Sequence, residues 1–372
     1  MPKENNNKVC ILTSVHPPFD GRIFHKEAKT LAKAGYDVVL IAQHNEEEII
    51  DGVRIVPLPK PRNRFERMTR VVWRLFRLAL REKADVYHFH DPELIPVGLV
   101  LKLFGKKLIY DVHEDVPQDI LTKNWIGNSI VREIASFFFS GFENLSCTFF
   151  NGIVAATPDI AKKFPSQKTI TLRNFPILEL IDKTEPLDIS KQKPIIIYAG
   201  GLMKIRGIKE IVQAMEFVGD RAELWLLGKW ENEEFERECE SLKGWEYTKY
   251  LGYVPYGKHY SFIKMANIGV INFLPLPNQQ KAMPNKPFEY MVCSLPMIMS
   301  NFSYWQGIFG ECALFANSYN PKDIAEKILY LLDNPDEAKR LGNNGRKLIE
   351  EKYSWENESK KLLGVYKKLC VA

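Results

Sequence analysis

The stretch "PIIIYAGGLMKIRGIKEIV", residues 194–212, indicates the fold because a buried strand, a glycine turn and a helix follow one another directly. The run 195–199 is apolar without alternation, which is typical of a strand covered on both faces of a parallel sheet. Gly200 and Gly201 follow it, and helical apolar spacing begins near Gly207. Strand, turn and crossover helix in this order predict a βαβ unit.

The same alternation of short apolar runs and helix-length stretches occurs on both sides of one polar segment. That segment, "NFPILELIDKTEPLDISKQKP", carries three prolines and is predicted to be a linker. The runs before it are "VCILTSV", "DVVLIAQ", "VRIVPL", "DVYHFH", "KLIYDVH", "GIVAAT" and "TITLRN". Those after it are "PIIIYAG", "AELWLLG", "TKYLGYV", "IGVINF", "PMIMSN" and "CALFAN". Two doubly wound α/β domains in tandem are therefore predicted.

The predicted boundaries are 1–178 for the first domain, 179–193 for the linker, 194–354 for the second domain and 355–372 for a last helix. Before that helix, residues 323–355 predict two helices with a break at 343–345, where two asparagines precede a glycine. A chain of 372 residues is longer than one hydrophobic core usually supports, which agrees with two domains.

Composition narrows the class of protein. A net charge of +5 is too small to indicate nucleic-acid binding, so none is predicted. The six cysteines form no CxxC pair, which predicts neither a zinc site nor a disulfide framework and favours a reducing, cytoplasmic compartment. The absence of an 18-residue apolar span predicts a soluble or peripheral protein.

Glycines and cations converge after the first strand of the second domain. Gly200, Gly201, Lys204 and Arg206 precede a predicted helix start, and backbone amides with two cations suit a diphosphate. The alternative is a flexible turn with solvated basic residues. In the first domain, Gly21 precedes a helix in a similar way, without the glycine pattern of a dinucleotide fold or phosphate loop, and an ordinary turn is equally consistent.

Titratable residues cluster at two strand ends of the first domain. The segments "DVYHFHDPEL" and "LIYDVHEDVP" place His88, His90, Asp91, Asp111 and His113 there, at the edge where α/β sheets bind ligands. Such a density costs desolvation energy and favours a functional use. A His–Asp metal site and core histidines bonded to neighbouring backbone remain the alternatives.

A basic amphipathic helix is predicted within residues 64–83. Its arginines recur at intervals of three and four and share one face: Arg67, Arg70, Arg74, Arg77 and Arg81. A solvated face is one reading, and contact with anionic headgroups or a lipid-carried substrate is the other. Duplex DNA is less favoured because no recognised DNA-binding module accompanies the helix.

These motifs resemble those of glycosyltransferase family 4, over essentially the whole chain. The segment "YAGGLMKIRG" is similar to the family's "GRL...KG" segment, with Gly201 in place of its arginine and Arg206 in place of its lysine. The segment "EYMVCSLPMIMSN" is similar to the family's "AMACGLPVIAS" and its preceding glutamate. His113 matches the family's histidine near the donor sugar, and Gly21 matches its first loop.

The family's pair of glutamates separated by seven residues falls on Lys281 and Glu289, so only the second is kept. A carboxylate such as Glu289 accepts two hydrogen bonds from vicinal ribose hydroxyls. The backbone amides of Asn285 and Lys286 are expected to face the sugar or phosphate. Lys281 is expected to contact an acidic donor sugar or the diphosphate, or to point into solvent. Alternatively, Glu289 only stabilises its own helix.

The resemblance implies a GT-B fold, with two Rossmann-like domains facing across a cleft and the last helix crossing back to the first domain. It implies retaining transfer from a nucleotide diphosphate sugar, UDP before GDP, without metal or cofactor. The catalytic residues would be His113, Arg206 and Glu289. The acceptor would be a saccharide or lipid-linked hydroxyl near His90 and Asp91. The arginine face at 64–83 suggests that it is used in cell-surface polysaccharide synthesis at the inner membrane face.

Two rival functions share the predicted architecture. A nucleotide-sugar epimerase would convert the donor alone, without an acceptor. A non-catalytic nucleotide-sugar-binding protein is the second alternative, because Gly201 and Lys281 replace polar partners that the family uses. The sequence leaves the oligomeric state open.

Overall fold

The computed structural model describes residues 7–123, 126–190, 192–280 and 282–371, which form two compact units. The first unit runs to Asn174 and includes the chain again from Trp355, and the second is Phe175–Ser354. Each unit is a sheet with its own buried apolar core, as the alternating pattern predicts. The prediction of two doubly wound α/β domains is confirmed.

The sheet of the first unit has eight strands in the order β3-β4-β2-β1-β5-β6-β7-β8. They are β1 Lys8–Leu12, β2 Asp37–Gln43, β3 Glu48–Ile50, β4 Val53–Leu58, β5 Val86–Phe89, β6 Lys107–Val112, β7 Gly152–Ala155 and β8 Thr169–Thr171. The pairings are parallel except that of β3 with β4. The sequence analysis missed β3, a three-residue edge strand whose Ile49 side chain is 71% exposed, because it has no buried apolar run.

The α-helices of the first unit are α1 Lys29–Lys33, α2 Arg64–Glu66, α3 Val72–Glu82, α4 Ile95–Leu103, α5 Val116–Thr122, α6 Ser129–Phe149, α7 Pro158–Ala161 and, after the second unit, the last helix Trp355–Val371. π-helical turns Ile23–Ala28 and Arg67–Val71 lead into α1 and α3, and 3₁₀ turns are Pro92–Leu94 and Ser166–Lys168. Among the described residues, no helix is both long and apolar enough to span a membrane.

The second sheet has six parallel strands in the order β11-β10-β9-β12-β13-β14. They are β9 Ile195–Ala199, β10 Glu223–Leu227, β11 Thr248–Gly252, β12 Ile268–Ile271, β13 Met297–Ser300 and β14 Ala313–Ala316. Its helices are α8 Leu178–Asp182, α9 Ile208–Val218, α10 Glu233–Glu240, α11 His259–Met265, α12 Pro277–Gln280, α13 Lys286–Val292, α14 Ser303–Phe309, α15 Pro321–Asp333 and α16 Pro335–Lys352. The last helix, Trp355–Val371 in the first unit, is labelled α17. 3₁₀ turns are Lys204–Arg206, Gly219–Arg221 and Lys243–Tyr247.

Two sequence-based expectations differ from the structure of the second unit. The predicted break at 343–345 is absent, since α16 continues through it. The glycine at 345 is explained by close packing of α16 on α13, since a Cβ at this position would lie 3.1 Å from the Met291 side chain. The segment predicted as linker begins with α8, whose Ile181 is buried and whose Asp182 pairs with Arg346 at 2.7 Å.

The last helix, α17, packs in the first unit. Tyr366 is buried, and its hydroxyl lies 2.8 Å from Nδ1 of His88 on β5. At the start of the helix, Nε1 of Trp355 donates to Oγ1 of Thr30 over 2.9 Å. Side-chain bonds at both ends thus fix the register of α17 on this unit.

Tyr366→Phe is expected to lower the free energy of unfolding by about 1 kcal/mol, because it removes one buried hydrogen bond and leaves Nδ1 of His88 without that partner. Urea unfolding of the two proteins checks this. Tyr330→Phe, at an exposed position on α15, is the control and should be neutral. Equal stability of Tyr366→Phe and wild type would show that this bond does not hold α17.

Candidate functional site

The second unit contains a cavity of about 670 Å³ at the carboxyl ends of β9, β10 and β11. In parallel α/β sheets, ligands bind at this edge. The lining residues include Gly200, Gly201, Arg206, Lys229, Tyr253, His259, Asn285, Lys286 and Glu289. Of the donor-site residues predicted from sequence, Gly200, Gly201, Arg206, Asn285, Lys286 and Glu289 come together here. Lys281 lies outside the described residues, so the structure does not report on it.

Lys286 brings a partly buried cation to the floor of this cavity. Its ammonium lies 5.2 Å from the centre of the Tyr198 ring and 6.0 Å from that of Phe273, which partly offsets its desolvation. Burial, with the nearby charge of Arg206, lowers the pKa of Lys286 to about 8. Burial disfavours the charged form of Lys286, and an anionic ligand beside the ammonium would stabilise that form. The position is therefore suited to binding an anion.

Arg206 supplies the second cation. Its guanidinium lies 3.9 Å above the Phe273 ring, and Nη1 donates to Oε1 of Gln279 over 3.3 Å. Stacking fixes the plane of the guanidinium and leaves its other N–H groups available for bidentate contacts. Arg206 and Lys286 thus share one aromatic neighbour, and the cavity receives positive charge from two elements of the fold.

Glu289 lies in the first turn of α13 and lines the same cavity. Its Oε1 is 3.8 Å from Nε2 of His259, at the start of α11. His259 was not predicted from the sequence. The segment that holds it, "LGYVPYGKHY", follows a strand, and this strand-end position is the signal that could have identified it.

Glycine is required at the floor of the cavity. Gly200 has a φ of +147°, and a Cβ built on it would overlap Cε and Nζ of Lys286. Gly228 has a φ of +146°, and a Cβ there would overlap the carbonyl oxygen of Gly200. Because neither glycine has a side chain, the ends of β9 and β10 pack closely at Gly200 and Gly228, and the Lys286 side chain fits over Gly200.

Gly200→Ala is expected to weaken binding of a nucleoside diphosphate about tenfold or more, because the methyl group strains the backbone and displaces the Lys286 ammonium. Isothermal titration with UDP measures the effect. The matched control is Gly201→Ala, where the added Cβ would lie 3.7 Å from Met203 side-chain atoms, an ordinary contact. Similar loss in both variants would argue against the role of Lys286.

Lys204, predicted as a donor-site cation, does not line the cavity. Its ammonium is more than half exposed and lies 3.0 Å from Oε2 of Glu238 on α10. The 3₁₀ turn Lys204–Arg206 points successive side chains in different directions, so only Arg206 reaches the cavity. Lys286 supplies the charge that was expected from Lys204.

The first unit holds a buried polar cluster at the carboxyl ends of β5 and β6. Nη2 of Arg22 donates to both oxygens of Asp111, at 2.9 and 3.0 Å, and Nε of Arg22 lies 2.9 Å from Glu27. Burial alone would raise the pKa of Asp111, but Arg22 and then His113 hold it well below its ordinary value. Burial, together with the charge of Asp111, raises the pKa of Glu27 well above its ordinary value.

His113 is the member of this cluster nearest the surface, with its side chain 20% exposed. Its Nε2 lies 3.0 Å from Nδ1 of His90 and 3.3 Å from Oδ1 of Asp111. These contacts fix the orientation of the ring. His16 packs against it with ring centres 5.5 Å apart, a neighbour that the sequence analysis did not identify.

His90 and Asp91, predicted to contact the acceptor, are both buried, and that contact stays a prediction. His90 supports His113 through the 3.0 Å contact. Asp91 accepts hydrogen bonds from the backbone N–H of Ser14 at 2.6 Å and from the Thr13 hydroxyl at 2.9 Å. Both residues thus hold neighbouring groups in place.

The cluster also gathers the donors that a metal ion would need. Ligand atoms of Glu27, His88, His90 and Asp111 lie within 4.8 Å of one another. However, the guanidinium of Arg22 already pairs with both oxygens of Asp111 and lies 2.9 Å from Glu27. A dication would therefore meet a fixed positive charge beside its ligands, and the set suits a buried ion pair better than a metal.

The turn at Gly21 does not present free amides to an anion. Oδ1 of Asp20 accepts the backbone N–H groups of Arg22 at 2.8 Å and Ile23 at 2.9 Å. These are the amides that a phosphate would need at this helix start. Asp20 thus caps this helix start, and contact between Gly21 and the donor stays a prediction.

The predicted arginine stripe is only partly without carboxylate partners. Arg67 forms a bidentate pair with Glu93, at 2.9 and 2.8 Å, so it is a structural residue. Arg70 lies 3.6 Å from Glu66 and is largely exposed. Arg74, Arg77 and Arg81 on α3 are exposed, as expected.

Comparisons with known proteins agree with this architecture. Residues 21–168 match the family model described as Glycosyltransferase Family 4, and residues 181–348 match that described as Glycosyl transferases group 1. An uncharacterized glycosyltransferase from Methanocaldococcus jannaschii is 23% identical over 97% of this chain and 98% of its own. The capsular polysaccharide biosynthesis glycosyltransferase CapM from Staphylococcus aureus is 26% identical over 43% of this chain and 42% of its own.

Solved structures show the same fold at low identity. Sucrose-phosphate synthase from Thermosynechococcus elongatus has a TM-score of 0.75 and 18% identity over 98% of this chain and 99% of that one. HepE from Anabaena, in complex with UDP and glucose, has a TM-score of 0.72 and 12% identity over 98% of this chain and 100% of that one. With both units matched by family models and the whole chain by these structures, the chain belongs to glycosyltransferase family 4 and has the GT-B fold.

Proposed function

We propose that this glycosyltransferase moves a sugar from a UDP-sugar to a hydroxyl of a saccharide or lipid-linked acceptor. The observation that carries the proposal is the cavity of the second unit, where two cations and a carboxylate converge over bare glycine backbone. A nucleoside diphosphate has matching parts: a charged diphosphate and a ribose with two neighbouring hydroxyls. HepE, which shares the fold, was crystallised with UDP and with UDP-glucose, and this favours UDP over GDP.

In the proposed complex, Arg206 and Lys286 bind the diphosphate and stabilise the negative charge that develops as the sugar leaves. Glu289 accepts hydrogen bonds from the ribose, and Asn285 contributes to the same wall. The cations supply the charge for which other enzymes use a metal, so we propose a metal-independent reaction. We also propose retention at the anomeric carbon, with the leaving phosphate accepting the proton of the acceptor hydroxyl.

His113 is proposed to orient the donor sugar, and it is not assigned as a nucleophile. Its Nε2 is occupied by contacts with His90 and Asp111, which fix the ring. The cell-surface polysaccharide role is supported by CapM, whose name gives capsular polysaccharide biosynthesis, over part of the chain. If Lys281 faces the sugar, an acidic donor such as a uronic acid would suit its charge.

A thermal-shift panel tests the donor class, because a ligand that binds the native state raises its melting temperature. UDP is expected to raise the melting temperature more than GDP, ADP or dTDP at equal concentration. Mass analysis with UDP-sugars and saccharide acceptors then tests transfer. A donor isomerised without acceptor would support an epimerase, and binding without turnover would support a non-catalytic protein.

A further inference from the structure

Helix α6 is oriented with its apolar side chains toward solvent. Among its exposed side chains, Phe137 is 76% exposed, Phe138 69% and Leu145 63%. The exposed apolar set recurs at intervals of three and four and forms one stripe: Ile130, Ile134, Phe137, Phe138, Phe142, Leu145 and Phe149. Exposed apolar patches of this extent are rare on monomeric proteins and mark an interaction site.

The opposite side of α6 is buried, and its polar contacts fix this orientation. Oε1 of Glu143 accepts a hydrogen bond from the Tyr110 hydroxyl over 2.9 Å. The Ser136 hydroxyl donates to the backbone carbonyl of Pro117 over 2.8 Å. Rotating the helix to bury its aromatic residues would break these buried bonds, so the apolar stripe is a property of the folded unit.

Helix α4, which packs against α6, also exposes apolar side chains. It packs between α3 and α6 on one face of the eight-stranded sheet. Its residues are apolar nearly all round, and it exposes Val100 and Leu103, followed by Phe104 just after its end, with Leu103 87% exposed. A helix that is apolar on all sides is typical of a core or a membrane environment. We call the exposed apolar residues of α4 and α6, with Phe104, the apolar helix surface.

The charged residues around the apolar helix surface favour an anionic membrane over a second copy of the chain as its partner. On α6, Glu133 is the one exposed charged side chain among the described residues. On α3, on the other side of α4, Arg74, Arg77 and Arg81 are exposed, beside the 59% exposed indole of Trp73. An anionic lipid surface provides acyl chains for the apolar part and headgroups for the arginines. A second copy of the chain would offer these arginines only another basic face.

We propose that the apolar helix surface inserts into the headgroup–acyl boundary of an anionic membrane, while the arginines of α3 bind lipid phosphates. The inference goes beyond the proposed function by naming the docking surface and its lipid. It needs no transfer reaction, so its failure and the failure of the donor assignment are distinguishable.

Flotation with vesicles of phosphatidylcholine, with or without phosphatidylglycerol, tests the proposal. Wild type is expected to float with both and more strongly with anionic vesicles. Phe137→Ser with Phe138→Ser should weaken partition to both, by roughly tenfold or more for each phenylalanine. Arg74→Gln with Arg77→Gln should weaken partition only to the vesicles that contain phosphatidylglycerol, by roughly fivefold for each arginine.

Ile49→Ser is the matched control, since Ile49 is equally exposed on β3 but lies outside the apolar helix surface. It should float like wild type, and the shift in melting temperature with UDP should be unchanged in every variant. Two results would overturn the proposal. One is that wild type floats with neither kind of vesicle. The other is a dimer without lipid that Phe137→Ser with Phe138→Ser dissociates, since the face would then join two copies.

Discussion

Glu289→Ala is expected to lower kcat/KM for the UDP-sugar by about a thousandfold. The carboxylate lines the donor cavity and is proposed to accept two hydrogen bonds from the ribose. Each bond to a charged group contributes about 1.5–3 kcal/mol, and each 1.4 kcal/mol is a factor of ten. Steady-state release of UDP, measured across donor concentrations, gives the ratio.

Glu289→Gln is the informative control, because it keeps the size of the side chain and one carbonyl acceptor. It should retain more activity than the alanine variant, and uridine binding should fall in the same order. Its unfolding midpoint should match that of wild type, since Glu289 is partly exposed at the cavity wall. Full activity of Glu289→Ala would remove the ribose assignment.

Lys286→Met is expected to reduce kcat by about 10²–10³-fold, the usual effect of losing one group that stabilises developing charge. Methionine fills a similar volume, so the cavity should keep its shape while the diphosphate loses a cation. Arg206 remains in this variant, which explains why some binding should persist. Lys286→Arg preserves the charge but has a longer, planar head group, so its kcat should lie between those of wild type and Lys286→Met.

UDP affinity should depend on pH through Lys286. In the free protein its pKa is lowered to about 8, so the side chain is charged below that pH and becomes neutral above it. An anionic ligand favours the charged form, and binding above pH 8 must therefore take up a proton. Affinity should fall as pH rises from 8 toward 10, by up to roughly tenfold per unit.

In Lys286→Met this dependence should disappear over the same pH range. Isothermal titration in buffers of different ionisation enthalpy measures both affinity and proton uptake. A wild-type affinity that is flat between pH 7 and 10 would contradict contact between the diphosphate and Lys286.

The fold was largely predictable from sequence because its signal is local. Uninterrupted apolar runs such as 195–199 identify strands buried on both faces, and the structure contains every strand so predicted. The edge strand β3 was missed because it is only three residues long and begins at the last of three consecutive glutamates. The break in α16 was wrongly predicted because glycines also serve close helix packing, as Gly345 does against Met291.

The candidate site was less predictable, because side-chain direction depends on tertiary packing. Lys204 and Arg206 are two residues apart, yet one pairs with Glu238 and the other lines the cavity. Nor does the sequence show that the Lys286 ammonium lies over Gly200, since this needs the backbone path of both segments. His90 and Asp91 have the composition of a ligand site, but their partners are other protein groups.

A crystal structure with UDP tests the central claim most directly. The account predicts the diphosphate within about 3 Å of Lys286 Nζ and the Arg206 guanidinium, and the ribose hydroxyls at the same distance from Glu289. UDP bound elsewhere, or in this cavity with its ribose at the two cations and its phosphates at Glu289, would contradict it.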